Sequence, residues 1–170
     1  AEASFKKVIE QNDTIKEAYF NLGNAVYGFF QNGGSRCYVC NVGEPDKAKD
    51  ENEAAALIKG EDKGPEGRTG LNTFKVLEDV ALVAAPGMTS LMIQQLIADH
   101  AAECGDRVAV LDGIEELGEV QLNEFPKIGD QKHAAVYWPW IQVYDEKVKK
   151  PIFVPPCGHV MGVVARVDTD

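Results

Sequence analysis

Hydrophobic residues recur first at helical spacing and later in short unbroken runs, and that change of rhythm sets the expected fold. Phe5, Val8 and Ile9 predict a helix over 3–10. Asn12-Asp13-Thr14 offers a cap, and Ile15 to Phe30 reads as a second helix with Ala18, Tyr19, Leu22, Val26 and Phe29 on one face. Tyr27, Phe29 and Phe30 are apolar enough to predict a buried helix end. Asn32, Gly33 and Gly34 tolerate left-handed backbone angles and stop the helix there. Ser35 to Val42 follows with Tyr38, Val39 and Val42, side chains that suit a pleated, packed surface, so a core strand is expected.

Gly43-Glu44-Pro45 predicts a turn, Asp46 to Ile58 a short surface helix, and Gly60 to Gly67 a loop, which makes 44–67 a possible surface insertion. An alternation comes next. Arg68 to Leu77 is helical in pattern, and Val80 to Ala85 is a continuous apolar run closed by Pro86-Gly87. Such a run fits a parallel strand covered on both faces. Thr89 is placed to cap a helix through Cys104 that buries Leu91, Ile93, Leu96, Ile97 and Ala101 and turns His100 outward. Gly105-Asp106 ends it before a strand over Arg107 to Asp112. The stretch 113–132 shows no clear pattern. Ala134 to Tyr144 reads as an aromatic strand bulged or split at Pro139. Asp145 to Lys150 is a turn, Pro151 to Val154 a returning strand, and Pro155-Pro156 opens a last helix over Cys157–Val167. The expected class is α/β: one domain over 1–170, with a mostly parallel open sheet flanked by helices and an added antiparallel hairpin.

Composition narrows the function classes more than the fold. With 45 % apolar and 26 % charged residues, the chain is ordinary globular material. Its net charge of −10, with no basic run beyond Lys149-Lys150, argues against a nucleic-acid partner. No stretch of about twenty apolar residues predicts a membrane span. Ala1 is not an initiator methionine, and the sequence stops at Asp170 without a closing signal, so an excised piece of a longer protein, with both tails absent, is expected.

Candidate chemistry thins out under inspection. Cys37 and Cys40 form a C-x-x-C, but a strand points residues three apart to opposite sides, and a second ligand pair for zinc is not suitably spaced. Gly33-Gly34-Ser35 is not a dinucleotide fingerprint, and the chain holds no P-loop. Ser90 opens a helix after a strand, much as the serine segment of subtilisin-like proteases does, but their order is Asp, His, Ser and no histidine precedes Ser90 here. Ser90, Asp112 and His133 or His159 occur in the order of an α/β-hydrolase triad. Met88 and Met92, however, occupy the glycine positions of a nucleophile elbow, so Ser90 is expected to be a cap or first-turn residue. Cys157-Gly158-His159 suggests a thiol–imidazole pair, yet productive pairs come from distant segments. Asp112, at a strand end, is expected to cap or to hold a turn. No catalytic residue, metal site or cofactor is expected. A small α/β hydrolase using Ser90 or Cys157 stands as the alternative.

Six segments in order resemble the sheath proteins of contractile phage tails, R-type bacteriocins and related injection systems. They are Ala25 to Val42, Gly64 to Gly70, Val80 to Gly87, Arg107 to Asp112, Tyr137 to Tyr144 and Val154 to Arg166. The most specific are the aromatic Pro139-Trp140 strand and Pro155-Pro156-Cys157-Gly158-His159 opening a helix; Cys157 stands where the family favours a small hydroxyl or alanine, and Trp138 where tyrosine is common. The resemblance implies a subtilisin-like topology without a protease site. It implies structural roles for Asn32, Gly33, Gly34, Tyr38, Pro86, Gly87, Asp112, Pro139, Trp140, Pro155, Pro156, Gly158 and His159. It also implies hexameric rings of the subunit itself around a tail tube protein, with baseplate and tail-terminator partners, in a virion assembled in the bacterial cytoplasm. Without terminal arms, the piece is expected to be monomeric or weakly associated.

Overall fold

The computed structural model describes residues 13–43, 48–115, 132–145 and 149–168. The helix expected over 3–10, the residues of the Gly43-Glu44-Pro45 turn beyond Gly43, and most of the unpatterned stretch 113–132 lie outside them. The elements are α1 (Asp13–Gln31), α2 (Glu51–Lys59), a 3₁₀ turn (Gly70–Val76), β1 (Leu82–Val83), α3 (Leu91–Cys104), β2 (Val108–Asp112), β3 (Ala134–Tyr137), β4 (Ile141–Asp145), β5 (Lys150–Val154) and α4 (Cys157–Val167).

β1, β2 and β3 form a parallel sheet with β2 in the middle, Val83 opposite Ala109 and Leu111 opposite Val136. Alternation along β2 divides the interior in two. Ala109 and Leu111 face Ile93, Ile97, Ala98 and Ala101 of α3, with Ile58 of α2 and Leu71 completing that side. Val110 faces Ala25 of α1 and Cys157 of α4 on the other. Helices therefore cover both faces of the sheet, the α/β class expected from helical patterns alternating with apolar runs. Pro139, whose bond to Trp138 is cis, splits the aromatic stretch in two. β3 joins the parallel sheet, and β4 pairs antiparallel with β5 as a separate hairpin.

Capping sets the helix boundaries. Asp50 accepts the Glu53 N–H at the start of α2 (2.9 Å), and Gly105 closes α3 in the left-handed region at φ 75°. α1 stops where Gly33 takes φ 111° and the Gly34 N–H donates to the Phe29 carbonyl at 2.9 Å.

Several details differ from the pattern. The cap of α3 is Ser90, one residue beyond Thr89; its hydroxyl accepts the Ile93 N–H at 3.4 Å. His100 is buried, 5 % exposed, because α2 and the 3₁₀ turn cover a second side of α3. Leu91, in contrast, is exposed on the first turn. Tyr27 and Phe30 point outward and only Phe29 of that trio is buried, since α4 and the sheet cover one side of α1. The stretch 35–42 is extended but joins no ladder, and Tyr38 and Val39 are exposed. Within Arg68 to Leu77 only Gly70–Val76 is helical, and it is a 3₁₀ turn, tighter than the α-helix the pattern suggests. Within 44–67, α2 contributes buried Ala55 and Ile58, so this stretch is tied to the core through one apolar edge.

Candidate functional site

The polar groups that converge most tightly lie at the C-terminal end of β2, where parallel sheets commonly hold ligands. Asp112 is 2 % exposed. Its Oδ2 accepts the Gly87 N–H at 3.0 Å, and its Oδ1 accepts the Cys157 N–H at 2.8 Å. Its carbonyl accepts from Gln94 Nε2 at 2.6 Å. The next residue extends the joint: the Gly113 N–H donates to the Tyr137 carbonyl (2.8 Å), and Trp140 Nε1 donates to the Gly113 carbonyl (2.7 Å). Two successive residues thus tie the Pro86-Gly87 turn, α3, β3, the start of β4 and α4 to the central strand.

Local chemistry explains why a carboxylate is needed there. α4 begins after two prolines, and Pro156 in the N-cap position has no side-chain acceptor for the first helical N–H groups. Asp112 supplies that acceptor from another element, with charge favourable to a helix N-terminus. Gly87 reaches it in a left-handed conformation, φ 75°, pressed against Asn21. Burial raises the Asp112 pKa, while the Gly87 and Cys157 donors hold it partly down. Cys157 is fully buried, and burial together with the adjacent Asp112 charge pushes its thiol well above the ordinary value. A nucleophilic cysteine needs the thiolate, so this environment opposes that chemistry.

Below this joint, α1 and α4 run parallel at close approach. A Cβ on Gly158 would overlap the Ala25 backbone, one on Gly28 the His159 ring, and one on Gly162 the Phe29 carbonyl. The Gly158-x-x-x-Gly162 spacing therefore places the backbone of one helix on that of the other. The His159 ring packs against Gly28; its Nδ1 is buried without a hydrogen-bond partner, and burial lowers its pKa. At the far end Asn32 Nδ2 donates to the Gly28 carbonyl (2.8 Å), while Gly33 is packed against Arg166 and Gly34 against Phe29.

The residues singled out from sequence fall into three places. Gly87, Asp112, Trp140, Pro155, Pro156 and Gly158 gather at the end of β2 and the start of α4, with Pro86 in the adjoining turn and Pro139 before Trp140. Asn32, Gly33, Gly34 and His159 belong to the α1–α4 contact. Tyr38 stands apart on the surface, its hydroxyl donating to Asp79 at 3.0 Å. That bond raises its pKa. Ser90 is occupied as a helix cap, and its hydroxyl also meets Glu51. The His100 ring lies 3.8 Å from Cys104, and His133 offers its carbonyl to the Ala109 N–H. Cys37 and Cys40 are free thiols, one exposed and one half-buried. Among the described residues, no three His, Cys, Asp or Glu side chains gather as metal ligands.

Two important residues carry little sequence signal. Gln94 lies on the α3 stripe as a polar residue at a buried position and reaches the Asp112 carbonyl, leaving its Oε1 without a partner. Arg107 is 2 % exposed and donates to the Phe74 and Leu77 carbonyls at 2.9 and 3.1 Å and to Asp106. It thereby caps the end of the 3₁₀ turn. An arginine opening an apolar strand was the only hint.

No protein-family model matches this chain, and no curated protein matches it in a sequence search.

Proposed function

We propose that the chain is a structural subunit of a contractile tail sheath, polymerising as six-membered rings around a tail tube and shortening to drive the tube through a host envelope. The observation that supports this reading most is that five of the six sheath-like segments supply groups to the Asp112 joint and the adjoining α1–α4 contact. Ala25 to Val42, Val80 to Gly87, Arg107 to Asp112, Tyr137 to Tyr144 and Val154 to Arg166 supply the groups that meet around Asp112 and along α1–α4. Both Asp112 carboxylate oxygens are engaged within the chain, and the glycines set helix contacts, so these motif residues have packing roles.

A block built in this way suits mechanical work. Close-packed interiors transmit displacement with little internal deformation. Rings that rotate against one another need subunits that move as rigid bodies while their connections bend. On this reading the partners are further copies of the subunit, the tube protein, the baseplate and the tail terminator, and the setting is a virion assembled in the bacterial cytoplasm. No cofactor takes part, and no catalysis.

The test is expression of the intact gene product, alone and with its tube protein, followed by electron microscopy. Tubular polymers with six-fold rings are expected. Failure to polymerise under any condition, or turnover of a substrate at a definable pocket, would overturn the proposal.

A further inference from the structure

Residues 36–42 are extended without a partner strand, although Tyr38, Val39 and Val42 are side chains typical of one. The segment runs beside the outer edge of β1 across a cleft of about 640 Å³. Leu22, Val26 and Phe29 of α1, Leu82 of β1 and Met161 of α4 line that cleft. The Val108 N–H donates to the Ala81 carbonyl at 2.9 Å. Alternation in a parallel ladder then turns the N–H and C=O of Leu82 to the opposite side, toward the cleft. There β1 is the edge of its sheet, and an edge with free backbone groups is a template for one more strand.

Contacts at both ends set direction and alignment. At the start, Arg36 pairs with Asp79, and the Tyr38 hydroxyl donates to the same carboxylate at 3.0 Å. At the finish, Val42 packs against the core cluster that Ala85 and Met88 also touch. The segment therefore ascends beside 79–85 in the same direction, as a parallel neighbour must. Between them Cys40 Sγ lies 3.5 Å from the Gly70 carbonyl. Glycines in the left-handed region bracket the segment, Gly33 at φ 111° and Gly43 at φ 86°; beside Gly43 nothing lies within 4 Å of the position a Cβ would take.

We propose that residues 36–42 are a hinged strap that closes onto β1 as a fourth parallel strand, and that the structure holds it open. Closure pairs the edge groups of Leu82 and Ala84 and removes the apolar cleft, two gains of the kind that drive strand addition. The strap itself is the occupant because it is tethered at both ends, already parallel and matched in length to 79–85. A strand from elsewhere would have to thread beneath a segment held at each end. This proposal stands independently of any role in a sheath.

Amide hydrogen exchange on the whole chain at two protein concentrations tests it. Expected are Leu82, Ala84 and alternate amides of Cys37 to Val42 exchanging at least about tenfold more slowly than unstructured amides, at both concentrations alike. Asp79→Ala, which removes the tether of Arg36 and Tyr38, should speed those amides while leaving Val110 in β2 unchanged. Unprotected exchange at Leu82 beside a protected Val110 would overturn the proposal. So would protection that grows with concentration, since a second copy would then be covering the edge.

Discussion

Replacing Gly162 by alanine tests whether α4 is held at its close distance by the absence of side chains. A Cβ there would sit 2.9 Å from Asn32 Cβ and 3.1 Å from the Phe29 carbonyl carbon, well inside the ~3.5–4.0 Å at which carbon atoms attract. The Phe29 neighbour is backbone, which has no rotamer to change, so α1 and α4 must separate. Overpacking of that kind costs about 3 kcal/mol at the upper end of its usual range. The alanine also favours the helix by about 1 kcal/mol. The net expectation is a loss of about 2 kcal/mol, or a fall in Tm of about 4–8 °C for a chain of this length. Gly23 is the control. It lies in the exposed middle of α1 with open space, nothing within 4 Å, where a Cβ would project, so Gly23→Ala keeps the helix gain alone and should stabilise by about 1 kcal/mol. Urea unfolding followed by circular dichroism measures both, with an unchanged m-value as the check on two-state behaviour. Labelling of Cys157, fully buried in the parent, reports whether α4 has shifted. If Gly162→Ala proved as stabilising as Gly23→Ala, the reading of α1–α4 as a backbone-on-backbone contact would be wrong.

Other consequences follow from the buried polar groups. Asp112→Ala leaves the Gly87 and Cys157 N–H groups without acceptors and should cost about 2–4 kcal/mol in the same assay; Asp112→Asn, which keeps one acceptor, should fall between it and the parent. Arg107→Met strips donors from the Phe74 and Leu77 carbonyls and should destabilise by about 3 kcal/mol, with proteolysis near residue 77 rising first. His100 and His159 both have pKa values lowered by burial, so the folded state keeps them neutral while the unfolded chain takes up protons. Their contribution is therefore complete above about pH 6.5 and declines as the pH falls through that value. His100→Gln and His159→Gln should each flatten the decline between about pH 7 and pH 5; an unchanged slope in both single variants and the double would refute the assignment. The raised Asp112 pKa acts in the opposite sense, adding stability on further acidification through its titration.

Much of this architecture is written in local pattern. Gly105 after α3, Asn32-Gly33-Gly34 after α1, Pro155-Pro156 before α4 and Pro139 within the aromatic stretch each act through the backbone of their own few residues, so their effect is visible without knowing the neighbours. The alternation of apolar runs with helical spacing likewise determines the α/β class, because a strand apolar on both sides needs helices on both sides. What the chain alone leaves open is decided by distant partners. His100 is buried and Tyr27 exposed because of where α2 and α4 happen to cover their helices, information held in segments far along the chain from either residue. Asp112 becomes a helix cap only when β2 brings it to a helix start that lacks its own acceptor, and the glycines of α4 gain their purpose only against α1. Most telling is 36–42: its residue types favour a strand, but a strand exists only when another backbone completes the ladder, and that is settled by tertiary placement rather than by propensity.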